Sequence, residues 1–272
     1  MTYITNFNEI RFNGMTATIR KELGASGTLQ GSYTLGRVKD LFQGGSRSVG
    51  FEGAVDPSQL GDRPANAAWD VRNRVSASGV YRLPTPWKSN SIANRVLGGW
   101  EIGATAILQS GVPVNVANFN SFNPFRDADG RVTGFRPNSG DYNADGNNFD
   151  FPNWGGNLPA KYGRSQFLGA NGGKPAYNSA DFTAPVAGTQ GNVPRNFFRQ
   201  QGVVNVDASV IKNNKLPMFG EKVNLQLKFE FFNAINRVNL GGINGNVADF
   251  NFGRILGQGS PRTIQVGARL SF

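Results

Sequence analysis

The feature that most restricts this chain is a two-residue alternation of apolar and polar side chains that returns along its whole length. Val223, Leu225, Leu227, Phe229 and Phe231 fall on one face of their segment, against Asn224, Gln226, Lys228 and Glu230 on the other. At the C-terminus Ile264, Val266, Ala268, Leu270 and Phe272 oppose Thr263, Gln265, Gly267, Arg269 and Ser271, and Val204, Val206, Ala208 and Val210 oppose Asn205, Asp207 and Ser209. Successive side chains of a pleated strand point to opposite sides, so this period belongs to strands with one face in an apolar medium. Trp100, Ile102, Ala104, Ala106 and Leu108 repeat the pattern more weakly. So do Val71, Val75, Ala77, Tyr81 and Leu83, then Leu29, Gly31, Tyr33 and Leu35, and a short stripe of Met15, Ala17 and Ile19. Helical periodicity is scarce. The pattern predicts seven strands, most of about 10 residues or somewhat more, the length a tilted strand needs to cross a bilayer.

Alternation alone does not separate the wall of a membrane barrel from a soluble β-sandwich, because both have one apolar and one polar strand face. The connections separate them better. Short ones lie near Glu22–Ser26, Pro84–Val96 and Asn213–Lys222, and long ones near Lys39–Trp69, Val112–Gly202 and Asn236–Arg262. In an up-and-down sheet alternate connections leave the same end, so all three long ones share one end, as the external loops of outer-membrane barrels do. The expected fold is therefore all-β: an antiparallel, up-and-down transmembrane barrel segment of seven strands, an incomplete barrel with long external loops. Its polar face carries Arg72, Arg74, Glu101, Asp207, Lys228, Glu230 and Arg269, which suits a wet lumen. The apolar face ends in Tyr33, Tyr81, Trp100, Phe231 and Phe272, as an interfacial girdle does.

The segment from Val112 to Gly202 is too long for an ordinary connection. Rich in Gly, Asn, Pro and Asp, it is expected to carry small hairpins and a minor core of Phe119, Phe122, Phe125, Phe135, Phe149, Phe151, Trp154, Tyr162 and Phe167.

Composition removes most chemistry. With no cysteine and no histidine the chain forms no disulfide, no Cys/His zinc site and no Ser-His-Asp or Cys-His pair. The net charge of +10 admits anionic partners, but the basic residues are scattered singly, without the basic run or motif that nucleic-acid binding calls for. No stretch approaches the ~20 apolar residues of a transmembrane helix. The first residues show no basic region followed by an apolar run, so no signal peptide is visible.

Few residues remain as candidate sites. Asp141, Asn143 and Asp145, followed by Gly146, fit the first positions of a calcium loop, with Asp150 as a later ligand. Pro152 stands where an EF-hand has its acidic twelfth residue, and Asp/Asn/Gly turns of this kind also form without metal. Asp127-Ala-Asp129-Gly130 makes a second, weaker candidate. Gly172-Gly173-Lys174 is not a phosphate loop, because Leu168 and Pro175 replace its first glycine and its Ser/Thr. Glu101, Asp207 and Glu230 have basic or amide neighbours on their own face, which favours a solvated wall over paired catalytic carboxylates. No cofactor other than calcium is expected.

Longer runs carry a resemblance. The run from Phe229 to Gly241 (Phe-Glu-Phe-Phe-Asn-Ala-Ile-Asn-Arg-Val-Asn-Leu-Gly), Phe252-Gly-Arg-Ile, and the stretch from Pro261 to Phe272 resemble the last strands of Oar-like TonB-dependent receptors. Asn13-Gly-Met-Thr-Ala-Thr-Ile, Asp70-Val-Arg-Asn-Arg-Val, Leu97-Gly-Gly-Trp-Glu-Ile, Gln109-Ser-Gly-Val-Pro, Tyr177-Asn-Ser-Ala-Asp-Phe and Gly191-Asn-Val-Pro-Arg-Asn extend it over nearly the whole chain. The resemblance implies a transport function in the cell outer membrane without catalysis, in a barrel of about 22 strands around an N-terminal plug. Its partners would be outer-membrane lipid and lipopolysaccharide, the barrel assembly machinery, and the TonB complex acting through the plug. Phe272 would be the C-terminal assembly signal. Plug and signal peptide are absent from residues 1–272, so the chain is expected to be one partial barrel domain, not competent for transport alone. The alternative is a secreted or surface β-sandwich that binds partners through its long Asn/Gly-rich loop.

Overall fold

The computed structural model describes residues 9–41, 64–85, 92–120, 124–129, 131–135, 140–143, 150–156, 173–216 and 223–272. The alternating segments form seven long strands: β1 (Ile10–Glu22), β2 (Gly27–Asp40), β3 (Asn73–Arg82), β4 (Trp100–Gln109), β5 (Val203–Lys215), β6 (Asn224–Phe232) and β7 (Thr263–Ser271). Their order in the sheet is their order in the chain, and every neighbouring pair is antiparallel. A two-residue strand, Ala65–Asn66, pairs with Lys39 and Asp40 beside the end of β2. The sheet does not close. Among the described residues β1 and β7 each have one neighbour, and both outer edges are free.

The expected order of connections holds. A 3-10 turn at Gly24–Ser26 joins β1 to β2, residues 83–99 join β3 to β4, and residues 216–223 join β5 to β6. The second of these contains a short helix, α1 (Ile92–Leu97), that no periodicity announced. Residues 41–72, 110–202 and 233–262 form the long connections. Because the sheet is a meander, these three leave one end of it, hereafter the cap end, and the short turns occupy the other. Phe272 lies just beyond β7 at the turn end and is almost fully exposed.

Neither face of the sheet is an interior. Met15, Ile19, Leu29, Leu35, Ile102, Val266 and Leu270, all on the apolar face, are exposed. The sandwich alternative needed a second sheet over this face, and the described residues form none, so that expectation is corrected. A barrel wall has lipid as its apolar solvent on one side and water on the other, and needs no protein core of its own. Among the described residues no helix is long and apolar enough to cross a membrane, which leaves strands untouched as spanning elements.

The hydrophobic core sits instead in the loops. Val114, Val116, Ala117, Phe151, Tyr177, Val193 and Phe198 of the longest loop pack with Leu240, Ile243, Phe252 and Ile255 of the last one. Backbone bonds tie the two together. The Ala117 N–H donates to the Gly245 carbonyl (3.1 Å), Val247 N–H to the Ala117 carbonyl (3.0 Å), and Ala176 N–H to the Gly253 carbonyl (2.7 Å). The longest loop also builds small antiparallel pairs, Pro113–Val114 with Phe198–Arg199, Asn153–Trp154 with Phe182–Thr183, and Pro124–Arg126 with Val132–Phe135. Of the aromatics expected as a minor core, Phe151 is buried, and Phe119 and Trp154 pack against its edge. Phe125 and Phe135 lie in the last of those pairs. Phe122, Phe149, Tyr162 and Phe167 lie outside the described residues.

Candidate functional site

Strand register decides which side chains meet. Arg20 stands opposite Gln30, Gln30 opposite Ser78, Ser78 opposite Thr105 and Thr105 opposite Asp207, so one polar row crosses five strands on one face. Hydrogen bonds run along and beside it: Gln30 Nε2 donates to Ser78 Oγ (2.9 Å), and hydroxyl pairs link Ser32 to Ser76 (2.8 Å) and Thr16 to Thr34 (3.0 Å). Cross-strand hydroxyl and amide pairs add modest stability and keep the surface wettable.

Six of the seven residues expected to face a lumen share this face. Arg74 stands opposite Gln109, Arg82 opposite Glu101, Lys228 opposite Gly267, Glu230 opposite Gln265, and Arg269 opposite Gln226. Most charges on the face are balanced locally. Arg82 Nε donates to Glu101 Oε2 (2.9 Å), and Lys228 Nζ lies 2.7 Å from Glu230 Oε1. Asp207 takes the Asn205 side-chain amide (3.0 Å) and the Asn233 N–H (2.8 Å). Arg72 differs: it precedes β3 and pairs with Asp70 (3.1 Å) inside the second long connection.

The Asn233 bond explains part of the C-terminal motif. Asn233 and Asn236 both have left-handed backbones, φ 51° and 49°, a conformation that asparagine tolerates better than most residues. Buried Asn233 donates to the Arg237 carbonyl (2.9 Å) and accepts from the Arg237 N–H (2.9 Å). The Phe-Asn-Ala-Ile-Asn-Arg sequence thus turns the chain out of β6, and Asp207 of β5 pins the turn. The sequence pointed to Asp207 as a lumen charge and gave no sign of this turn.

Three groups at the base of the cap went unread in the sequence. Asp40, the last residue of β2, is buried and pairs with Arg195 of the longest loop, whose guanidinium also reaches the Asp40 carbonyl (2.9 Å). Asp70 is fully buried and accepts from the Val38 N–H (2.6 Å), from Arg72 and from Arg199. Burial alone would raise the Asp70 carboxyl; the Val38 N–H and the two guanidiniums outweigh it and hold the group below the ordinary carboxylate range. Asn66 and Asn196 exchange side-chain amide bonds to each other's carbonyls, at 3.0 and 2.9 Å. All three contacts fasten the longest loop to the β2–β3 rim.

In the expected calcium loop, Asp141 and Asp150 are buried and Asp145 lies outside the described residues. The Asp150 carboxylate accepts the N–H groups of Tyr142 and Asn143 on one oxygen and Gln190 Nε2 (2.8 Å) on the other. Among the described residues no three acidic side chains converge. Asp127 Oδ1 accepts from the Asp129 and Arg131 N–H groups (3.0 and 2.8 Å), an Asx-type turn at the tip of a hairpin.

An open antiparallel meander with an uncovered apolar face, a polar opposite face and its long loops at one end defines the wall of an outer-membrane β-barrel. The chain belongs to the family described as Outer membrane beta barrel domain, which matches residues 1–265. Its place is the cell outer membrane. Comparison with curated proteins and with solved structures gave no match.

Proposed function

We propose that the seven strands form the C-terminal wall section of a TonB-dependent transporter barrel of the Oar-like kind, with a transport and structural role and no catalysis. The observation that carries this reading is polarity: all three long connections leave one end, where the second and third share a hydrophobic core and described residues of the first are fastened to the second, while the other end has short turns and Phe272. The apolar face meets lipid, with lipopolysaccharide at the cap end. The polar face, with Arg74, Glu101, Asp207, Lys228, Glu230 and Arg269, lines the lumen. Phe272 offers the assembly machinery a strand end with an exposed aromatic ring. The TonB complex would act through a plug that these strands do not contain.

The absence of cysteine makes the orientation directly testable. Asp129→Cys, at an exposed hairpin tip of the cap, should react with a membrane-impermeant maleimide on intact cells. Ala25→Cys, in the first short turn, should react only after the outer membrane is permeabilised. The reverse pattern, or recovery of the protein in the soluble fraction, would sink the reading. For the TonB step, deleting this gene and deleting the energising complex should remove overlapping sets of solutes from those the cells take up. Uptake that needs this gene but survives loss of the complex would overturn that part.

A further inference from the structure

We infer that the polar face of the wall carries a subsite for a neutral saccharide, stacked on Phe232 and hydrogen-bonded along the row from Asp207 to Gln30. The inference rests on the reading of that face as a transporter lumen, and goes beyond it in naming the class of solute.

The starting observation is a break in pattern. Along β6 the polar face carries Asn224, Gln226, Lys228 and Glu230, and by the same period the next side chain on it is Phe232. At that one position of β6 an exposed phenyl ring stands on the side that meets water. Packing does not account for it, since Phe232 is no part of the cap core. Apolar surface left in water contributes nothing to folding, so the ring is explained by something that covers it.

Its surroundings say what. Phe231 stands opposite Ala208, which places Phe232 beside Asp207, at the end of the row that Thr105, Ser78, Gln30 and Arg20 continue across the sheet. Ring and row line one open groove of about 470 Å³, a volume typical of small-molecule sites. The groups in it both donate and accept. Ser78 Oγ accepts from Gln30, which leaves the Ser78 O–H to donate and Gln30 Oε1 to accept. Thr105 adds a hydroxyl between Ser78 and Asp207.

Charge in the groove is largely cancelled. Arg20 pairs with Glu22 (2.7 Å) and Glu230 with Lys228 (2.7 Å), and Asp207 accepts two N–H groups. An anion finds the Arg20 guanidinium engaged, and a cation finds the Glu230 carboxylate engaged. A neutral solute with an apolar face and a rim of hydroxyls fits what remains. A saccharide ring lays its C–H face on an aromatic ring, and each of its hydroxyls donates and accepts, as the mixed row requires.

The test uses the protein purified in detergent from its native outer membrane. Maltohexaose, cellohexaose, mannohexaose and xylohexaose are the neutral probes in calorimetry, with hexalysine and hexagalacturonate as charged ones. At least one neutral sugar should bind, and Phe232→Ala should weaken it about tenfold while Phe232→Tyr, which keeps the ring, holds it. Thr105→Val keeps the side-chain shape and loses the hydroxyl, and should weaken binding about three- to tenfold. It reports on the row even where Phe232→Ala lowers the yield of folded protein. Failure of all four sugars to bind would overturn the inference. So would tighter binding of hexalysine or hexagalacturonate than of any sugar, or a sugar affinity left unchanged by Phe232→Ala or by Thr105→Val. If Asp129→Cys still labels on intact cells, and Ala25→Cys only after permeabilisation, the barrel-wall reading stands while this inference falls.

Discussion

Arg199, on the returning limb of the longest loop, closes on the buried carboxylate of Asp70 at the end of the second connection, joining two of the three long loops through one ion pair. Its other guanidinium nitrogen donates to the Asp70 carbonyl (2.9 Å) and to the Gly111 carbonyl just past β4 (3.1 Å). The neighbouring Phe198 lies in the cap core beside Tyr177. One short segment, Pro194–Arg199, thus holds the cap core to the barrel rim, with Arg195 on Asp40 as a second fastening.

Removing one partner of a buried ion pair strands the other in a low-dielectric site, at a cost of about 3 kcal/mol or more. Arg199 is a quarter exposed, so Arg199→Ala should stay near or below that figure, and the loss should be local. Amide exchange of residues 194–199 should quicken about a hundredfold while β4 and β5 keep their protection. Equal loosening of the strands would show that the pair supports the wall and not the cap.

The same carboxyl sets an acid limit. The folded Asp70 carboxyl titrates below its unfolded value, so its contribution is complete above about pH 4 and fades as pH falls through the lower, folded value. Fluorescence of Trp154, which packs against Phe197 and Phe198, should report cap opening in that acid range when the other tryptophans are replaced by phenylalanine. Asp70→Asn should remove this transition, and an unchanged transition would assign it to another carboxylate.

Tyr177 gives the opposite sign at high pH. Buried between Phe198 (ring centroids 4.9 Å) and Phe252 (6.2 Å), its phenol is pushed well above the ordinary value by desolvation. Below about pH 10 this costs nothing. Above it the unfolded phenol ionises and the folded one does not, so the cap loses stability as pH rises. Tyr177→Phe should abolish that alkaline loss at little cost at neutral pH. Tyr177→Ala should destabilise the cap by about 3–5 kcal/mol through the cavity it leaves, read as protease sensitivity of residues 173–201.

Tyr177 also fixes the backbone it faces. Gly253 has φ +74°, and a β-carbon there would lie 2.5 Å from the Tyr177 carbonyl oxygen. Gly253→Ala should therefore separate the last loop from the longest one, exposing the Ala176 N–H to exchange while β6 and β7 remain paired. Retained protection of Ala176 would mean that the Tyr177 limb can yield.

The strands could be read from the sequence because their signal is local: five alternating residues such as Val223 to Phe231 announce a face without reference to anything distant. Their ends could not. β1 reaches from Ile10 to Glu22, well beyond the stripe of Met15, Ala17 and Ile19, because pairing with β2 extends it past the apolar band. The loop lengths correctly placed the long connections at one end, but the cap itself stayed invisible. Its core takes Tyr177, Phe198, Leu240, Ile243, Phe252 and Ile255 one or two at a time from distant segments, with no period to find. Asp40 and Asp70 looked like ordinary polar residues beside strands, since nothing nearby in sequence names Arg195 and Arg199 as their partners. The Asp141–Asp150 pattern was legible as a turn, and the Tyr142 and Asn143 N–H groups do reach Asp150, but Gln190, which donates to the same carboxylate, lies far along the chain.

The two faces of β6 and β7 give the sharpest energetic contrast. Phe229 stands opposite Val210 on one side and Val266 on the other, in the middle of the apolar band. Gln265, one residue from Val266, points to the polar face opposite Glu230. An arginine facing the bilayer midplane costs about 2–4 kcal/mol, whereas one facing a wet lumen beside a carboxylate costs little. Phe229→Arg should therefore lower the yield of folded, heat-modifiable protein in the outer membrane and shift its urea midpoint down, and Gln265→Arg should leave both near the starting values. The contrast separates membrane from water more cleanly than a core deletion, because both changes add the same charge within one strand pair. Equal losses would mean that both faces meet the same medium, and the assignment of lipid to the apolar face would fail.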